Sequence, residues 1–246
     1  GKHLCPSSTP LAKHALKIAR CGNLPGRPDM LLCHHGHPMP TDFSFSSSPA
    51  LHTVPGTSAL VLDSPHSGTQ YPEDFRPACD VATLRQAEDT HVEKLYAFAP
   101  AMGAAWIEAF FPRIYLDANR DETELDASLL GGPWPGPLAT DPVVLQKVRL
   151  GKGLVWKFTD DGRAIYDRPL SVEEVMARIQ RCWRPYHAAV AEAINIAHAR
   201  HGYSIHINCH SMPAVASSHA TLFPGLHHAD FVVGDRDGTT ASPALS

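Results

Sequence analysis

Short apolar runs alternate with longer amphipathic stretches along most of this chain. Residues 59–62, 104–110, 203–207 and 231–233 are apolar runs of strand length. The stretches between them include segments with apolar residues at helical spacing. This alternation predicts an α/β fold, with a mixed, mostly parallel sheet and helices on both of its faces.

One helix is predicted over residues 81–99, where the apolar residues are broadly periodic. Within it, Thr90 and Glu93 have the spacing of a capping box, so the helix could restart at that point. Asp89 would then be a flanking acid at a helix start, with a structural role. A functional role for Asp89 is the alternative, and the local sequence leaves both open.

The most regular helical pattern begins at Ser171, where Glu174 completes a capping box. The pattern continues to Gly202, a residue that commonly ends helices. Pro185 lies inside it and lacks a backbone N–H, so we expect the helix to kink or split there.

Two stretches between these helices are predicted to form loops. Residues 121–152 contain acidic, glycine and proline clusters, which are typical of a long surface loop that covers a functional site. Residues 155–158 and 163–166 flank Asp161-Gly162, a strong hairpin signal. We expect this hairpin to belong to the covering loop and not to the main sheet.

Residues 1–52 differ in composition from the rest and are rich in proline, serine, histidine and glycine. We expect an irregular N-terminal extension there, with one short helix over residues 11–19, followed by an enzyme domain over residues 53–246. The histidines of residues 33–37 could bind a metal, but a second ligand pair at zinc-site spacing is missing from the sequence around them. Incidental surface histidines are therefore the favoured interpretation.

Charge and composition exclude several classes of partner. The formal net charge is −4, which argues against nucleic acid or an anionic membrane as the main partner. Apolar runs stay well short of the roughly 20 residues that span a bilayer. The six cysteines lack CxxC spacing, which fits reduced thiols. We therefore expect a cytoplasmic protein that acts on a small molecule.

Polar residues follow three of the predicted strands at the point where each strand ends. His66 follows the first strand, Asn119 and Arg120 follow an extended segment over residues 114–116, and His210 follows the strand over residues 203–207. Ligands bind at such strand ends in open α/β sheets. One loop histidine is more often a packing residue, but two at equivalent strand ends are typical of a metal site.

Six motifs carry a resemblance to a known family, and they occur in order from residue 64 to residue 238. They are Ser64-Pro65-His66-Ser67-Gly68, Asp89-Thr90-His91-Val92-Glu93-Lys94-Leu95-Tyr96, Arg113 with Asp117-Ala118-Asn119-Arg120, Tyr186-His187, Cys209-His210-Ser211-Met212-Pro213 and Gly234-Asp235-Arg236-Asp237-Gly238. With these motifs the chain resembles the N-formylglutamate amidohydrolase (N-formylglutamate deformylase) family. That family is similar to zinc carboxypeptidases and aspartoacylase, which implies a zinc-carboxypeptidase-like (phosphorylase/hydrolase-like) fold.

The resemblance implies metal-dependent hydrolysis of N-formyl-L-glutamate, or of a similar N-acyl amino acid, to formate and L-glutamate in histidine degradation. By that analogy His66 and His210 are ligands of Zn²⁺ or another divalent metal. The third ligand in the wider group is an acid soon after the first histidine, where this chain has Thr69. Asp89 is the best replacement, and the weaker candidates are Glu73, Asp74 and His91.

Two arginines and an amide are the candidate residues for substrate recognition and catalysis. Arg120 has the planar fork that grips a carboxylate, and Asn119 can add a hydrogen bond. Arg113 could stabilise a developing oxyanion and is the candidate catalytic residue. Ordinary ion pairs with acids such as Asp117 are the alternative for both arginines. Asp63 could orient a metal ligand or support the tight turn that follows it.

The sequence departs from the family pattern in two places. Asn208 stands where the family usually has an acid, and no glutamate follows Glu192, although the family's general base is expected in a later segment. We therefore expect that the acid comes from elsewhere, or that the chain is a truncated relative that binds metal or ligand with impaired turnover. A metal-free serine hydrolase using Ser67 or Ser211 is a further alternative, but a GxSxG motif is missing.

Overall fold

The structure is a computed structural model that describes residues 50–215, 225–235 and 239–241, and the backbone of residues 13–21. These residues contain a six-stranded sheet with the strand order β2-β4-β3-β5-β1-β6. The strands are β1 (Lys13–Cys21), β2 (Leu51–Val54), β3 (Leu60–Ser64), β4 (Ala105–Ala109), β5 (Ser204–Met212) and β6 (Phe231–Gly234).

The sheet is mixed and mostly parallel, as predicted. Strand β3 lies between β4 and β5 and is parallel to both, and β1 is parallel to β6. The β2–β4 and β1–β5 pairs are antiparallel. The carboxyl ends of the three central strands β4, β3 and β5 therefore meet at one edge of the sheet.

The α-helices are α1 (Val81–Leu84), α2 (Val92–Leu95), α3 (Pro142–Arg149), α4 (Val172–Arg178) and α5 (Arg184–His201). Short 3₁₀ segments cover Arg85–Ala87, Pro100–Met102 and Ala127–Leu129, and a π-helical turn covers Ile179–Trp183. Within the described ranges, no helix is both long and apolar enough to cross a membrane.

Helical segments cover both faces of the central sheet, as predicted. Side chains alternate along a strand, so Val61 belongs to one hydrophobic cluster and its neighbour Leu62 to another. The first cluster includes Val190 and Ala197 of α5, whereas the second includes Val92 of α2.

The predictions for residues 171–202 are confirmed. The hydroxyl of Ser171 accepts from the Glu174 N–H, and the Glu174 carboxylate accepts from the Ser171 N–H, which completes the capping box. The π-helical turn separates α4 from α5, and Pro185 lies in the first turn of α5, where its missing N–H costs little. Gly202 ends α5 with a left-handed φ of 76°.

The prediction of one helix over residues 81–99 is wrong. The chain breaks between α1 and α2, where Asp89 donates its backbone N–H to the carbonyl of His66 at 3.1 Å. His91, with a φ of 66°, precedes α2 and makes no side-chain cap, so the capping box at Thr90 is not formed. A tertiary contact with the loop after β3 thus overrides the helical periodicity.

The helix predicted over residues 11–19 is also wrong, because β1 occupies most of that range. β1 pairs with β5 along its whole length, from Lys13 opposite Met212 to Cys21 opposite Ser204, and it also pairs with β6. Strand pairing on both sides overrides the weak local preference for helix. The histidines of residues 33–37 lie outside the described residues, and the domain boundary at residue 52 stays a prediction.

Three predictions between β4 and α4 can be compared with the structure. Residues 114–116 begin in a buried turn and not in an extended strand. Residues 121–152, predicted as one long loop, contain a 3₁₀ turn and α3, whose first turn is capped by Asp141. The hairpin around Asp161-Gly162 is confirmed as an antiparallel bridge between Phe158 and Ala164, outside the main sheet.

Candidate metal and substrate site

The candidate site lies at the carboxyl ends of the three central strands. His66 follows β3 by two residues, and the segment that contains Asp117 follows β4. His210 was expected after the end of its strand, but it lies inside β5, because β5 continues past Asn208, the last residue paired with β3. The loop that holds His66 packs closely against the residues that follow β4. A Cβ on Gly68 would lie 2.3 Å from the carbonyl oxygen of Phe111, so only glycine fits there.

Three of the predicted metal ligands converge at this edge, and all three are buried. The Nδ1 atoms of His66 and His210 are 3.1 Å apart. The Oδ2 atom of Asp89 is 2.8 Å from His210 Nδ1 and 3.6 Å from His66 Nδ1. Ligand atoms on a tetrahedral zinc are about 3.3 Å apart, given the usual zinc–nitrogen distance. The donor set and its spacing therefore fit a zinc ion.

Asp89 reaches this site from the break between α1 and α2. Its Oδ1 accepts from Arg113 Nη1 at 3.0 Å, and its Oδ2 also accepts from the backbone N–H of Ser211 at 3.3 Å. Burial raises the pKa of Asp89, but the hydrogen bond with His210, the nearby His66 ring and the charge of Arg113 lower it by more, to well below its ordinary value. Asp89 is thus held as an anionic donor beside the histidines.

Asp117 binds the ring nitrogen of His66 that faces away from the candidate metal position, a role that the sequence did not reveal. This carboxylate is fully buried, and its Oδ1 accepts from His66 Nε2 at 2.6 Å. It also accepts from the Trp156 indole N–H at 3.1 Å and from the Asn119 backbone N–H at 2.9 Å. A proton on Nε2 leaves the Nδ1 lone pair of His66 free to bind a metal. The only signal in the sequence was the position of Asp117 in the quoted motif.

Asn119 contacts His210 at the ring nitrogen opposite the metal-facing one. The two nitrogen atoms, Asn119 Nδ2 and His210 Nε2, are 3.3 Å apart. If Nδ1 of His210 binds a metal, Nε2 carries the proton, and the Asn119 amide would have to turn its oxygen towards Nε2 to accept from it. The amide therefore lies where it can fix the orientation of His210. Its predicted contact with substrate stays a prediction.

A cavity of about 550 Å³ is lined by the two predicted arginines, although its lining does not include the three candidate metal ligands. Arg113 pairs with Asp89 and lies 3.5 Å from Asp117, while Arg120 lies 3.6 Å from Glu124 and 4.0 Å from Asp117. The Nε–H groups of both arginines are buried and have no hydrogen-bond partner among the described residues. Because these Nε–H groups are buried, a ligand in the cavity would meet the Nη groups of the two arginines instead. The roles of Arg113 as catalytic residue and Arg120 as carboxylate binder stay predictions.

The wall of this cavity includes Trp156 and Lys152, which the sequence interpretation did not single out. Trp156 donates to Asp117, and its ring lies 3.7 Å from the Lys152 ammonium and 4.9 Å from the Arg113 guanidinium carbon. Lys152 comes from the segment that was predicted to cover a functional site, and Trp156 from the hairpin that was expected to belong to it. The covering role itself stays a prediction.

Asp63 performs neither of its expected roles, although it lies close to His66 in the sequence. Its carboxylate accepts from Tyr186 Oη at 2.5 Å, from His206 Nε2 at 2.7 Å and from Asn208 Nδ2 at 3.1 Å. Asn208, which replaces the acid of the family pattern, therefore joins a buried network that ties β3 to β5 and α5.

The other candidates for the third ligand are outside the group of three buried donors, and among the described residues Ser67 makes no pair with a histidine. Asp74 binds Tyr115 and Arg181, while Glu73 and His91 are exposed. The hydroxyl of Ser67 is hydrogen-bonded to that of Ser64 at 2.7 Å, and the ring nitrogens of His66 face Asp117 and His210. These contacts do not make the serine–histidine pair of a serine hydrolase.

Comparisons with known proteins agree with the motifs. A model of the N-formylglutamate amidohydrolase family matches residues 58–246. Proteins named N-formylglutamate deformylase from Pseudomonas aeruginosa and Pseudomonas putida are 29% and 26% identical to this chain over 200 and 197 residues. Each alignment covers 78% of this chain, and the chain spans 64% of the length of each relative.

The fold agrees with that of a solved structure. The crystal structure of N-formylglutamate amidohydrolase from Ralstonia eutropha JMP134 matches with a TM-score of 0.74 and 45% sequence identity. The match covers 80% of this chain and 70% of that chain.

Proposed function

This chain belongs to the N-formylglutamate amidohydrolase family, and from that premise we propose that it catalyses the metal-dependent hydrolysis of N-formyl-L-glutamate to formate and L-glutamate. The observation that carries the proposal is the convergence of His66, Asp89 and His210, three buried donors from distant parts of the chain. We propose Zn²⁺ as the metal, because two imidazoles and one carboxylate form a donor set that leaves a ligand position open.

The protein supplies orientation and charge at this centre. When bound, Zn²⁺ acts as a Lewis acid that activates water near neutral pH and polarises a carbonyl oxygen. Asp117 holds the proton on His66 Nε2, and Asn119 orients the ring of His210. Water is largely excluded from these groups, since both histidines and both aspartates are buried. Electrostatic interactions are stronger in such a site than in bulk water.

The arginines give the adjoining cavity its selectivity for anions. Arg120 is placed to grip a substrate carboxylate through its guanidinium fork. Arg113, which contacts Asp89 directly, is placed to stabilise negative charge that develops on the scissile amide oxygen. A small N-acyl amino acid with a carboxylate next to the amide would meet both groups in the same cavity.

Metal content and turnover test this proposal together. Wild-type protein should bind zinc stoichiometrically and hydrolyse N-formyl-L-glutamate, whereas the His66→Ala/His210→Ala variant should lose both properties. The matched control is His198→Ala/His201→Ala, which removes two histidines from the last turn of α5. Metal content is measured by plasma emission spectrometry, and formate release by a coupled assay.

Three results would contradict the proposal in different ways. Unchanged zinc content in the His66→Ala/His210→Ala variant would overturn the assigned ligands. Full zinc occupancy without turnover would favour a protein that only binds metal or ligand. Turnover that survives exhaustive chelation would favour metal-free chemistry.

A further inference from the structure

Lys152 is a largely buried cation in the wall of the cavity. Its side chain is 17% exposed, and its ammonium group lies over the ring of Trp156. Burial lowers the pKa of Lys152, while the carboxylate of Asp160 raises it. A lysine ammonium that is removed from water in this way requires an anionic partner, and the cavity is where such a partner can lie.

The partner that Lys152 has is easily displaced. Asp160 accepts from the Lys152 ammonium at 2.7 Å, but the Asp160 side chain is 61% exposed. A pair with one well-solvated member contributes little net stability, because water competes for that member. A ligand carboxylate in the cavity could therefore replace Asp160 at low cost.

The cavity as a whole has more positive than negative groups. Its lining contains the four cations Arg113, Arg120, Lys147 and Lys152, and one carboxylate, Asp160. The arginines face the acids that surround the histidines, whereas Lys152 faces Asp160. Arg113 and Arg120 thus lie on the side of the cavity towards the candidate metal ligands, whereas Lys152 lies on the side of the exposed Asp160. Such a division suits a substrate with two carboxylates.

We propose that Lys152 determines specificity by binding the side-chain carboxylate of an acidic N-acyl amino acid, in exchange for Asp160. The inference rests on the proposed function, which places the scissile amide and the α-carboxylate beside the metal-binding group and the arginines. The side-chain carboxylate then extends along the cavity to Lys152. Trp156 shields that ion pair from water and links it to Asp117 through the indole N–H.

A pair of isosteric substrates tests the role of Lys152. N-formyl-L-glutamate and N-formyl-L-glutamine differ in the side-chain charge and keep the same α-carboxylate. With zinc-loaded protein, Lys152→Met should lower kcat/KM for the glutamate substrate about 30-fold, the usual effect of a hydrogen bond to a charged group. For the glutamine substrate the change should be about twofold or less. Lys157→Met is the matched control, since Lys157 pairs with Asp126 outside the cavity lining.

Asp160→Asn separates recognition from a structural role of the ion pair. Both Lys152→Met and Asp160→Asn break the pair, but only the first removes the cation. Asp160→Asn should therefore raise kcat/KM for N-formyl-L-glutamate, because the substrate carboxylate no longer has to displace a competing carboxylate from Lys152. An Asp160→Asn variant that loses activity as Lys152→Met does, or a Lys152→Met variant that slows both substrates equally, would overturn the inference.

Binding of the product gives a readout that is independent of turnover. Titration calorimetry with L-glutamate should show about 30-fold weaker binding to Lys152→Met than to wild type, and L-glutamine should show little difference. If wild-type protein hydrolyses neither amide, the proposed function fails, and this titration still decides the role of Lys152. Equal affinity of wild type and Lys152→Met for L-glutamate would contradict that role.

Discussion

The Asp117 carboxylate is completely buried, a placement that costs free energy unless the charge is compensated. Burial raises its pKa, but the charge and hydrogen bond of His66 and the charges of Arg113 and Arg120 lower it by more, to far below its ordinary value. The indole N–H of Trp156 completes the compensation. Asp117 therefore stays ionised and holds one tautomer of His66.

Replacing Asp117 by asparagine should weaken zinc binding about 10- to 100-fold, the usual effect of removing a carboxylate behind a histidine ligand. Asparagine keeps the shape of the side chain but not the charge that fixes the proton on His66 Nε2. The dissociation constant for zinc, measured by competition with a chromophoric chelator, checks this prediction. Asp126→Asn is the control, because Asp126 binds Ser128 and Lys157 instead of a histidine. Equal zinc affinity of Asp117→Asn and wild type would show that Asp117 does not support the site.

At the start of α4, Glu174 has several charged and backbone hydrogen-bond partners. Glu174 accepts two hydrogen bonds from Arg168, at 2.7 and 2.9 Å, and one from the backbone N–H of Ser171. The Arg168 hydrogen bonds lower the pKa of Glu174 from 4.5 to about 2, although burial raises it. Because the pKa is lower in the folded state, the contribution of Glu174 to stability is present above about pH 4.5 and is lost as the pH falls towards 2.

The Glu174→Gln variant should therefore be less stable than wild type by about 1 kcal/mol at pH 7, a value reduced by solvent screening of the ion pair. The difference should shrink as the pH falls from 4.5 towards 2, because Glu174 then binds a proton in the unfolded state but stays ionised in the folded state. Urea unfolding at several pH values between 7 and 3 measures this difference in unfolding free energy between Glu174→Gln and wild type. Glu173→Gln, at the exposed neighbouring position, is the control. A difference that stays constant across this range would argue against the assigned pair.

At the scale of the whole molecule, β1 joins two parts of the sheet, because it lies between β5 and β6. Ala15 of β1 is opposite His210 of β5, so β1 pairs with β5 at the position of a predicted metal ligand. Beyond Asn208, β5 has no pairing with β3. The backbone around His210 is thus held by β1, a strand that comes from the first residues of the chain.

A proline at Leu16 should disrupt this pairing, since Leu16 is opposite residues of both β5 and β6 and proline removes a ladder N–H. We expect a loss of about 2 kcal/mol from the broken hydrogen bond and steric conflict. That corresponds to a fall in Tm of roughly 4–8 °C for a chain of this size, measured by circular dichroism. Zinc affinity should fall as well. Leu16→Met, which keeps the N–H, is the control, and equal Tm values for the two variants would place β1 outside the sheet in solution.

The sequence alone determined the fold class, the two histidines that meet at the sheet edge and the start of α4. These features are local: apolar runs of strand length, histidines near strand ends, and a capping box of four consecutive residues. Asp89 was a candidate ligand on the resemblance to the family. Its alternative, a flanking acid beside a capping box at Thr90, loses that capping box because α2 has no side-chain cap.

Only the tertiary structure decided which groups support that edge. His66 and Asp117 are 51 positions apart, and Asp63 and His206 are 143 positions apart, so their contacts leave no periodic signal in the sequence. The break before α2 and the strand β1 have the same cause, because contacts with distant segments outweighed the local helical pattern. Burial of Lys152 and Asp117 also depends on what packs over them. Charge and residue type are properties of the chain, whereas the desolvation that gives these groups their chemistry is a property of the fold.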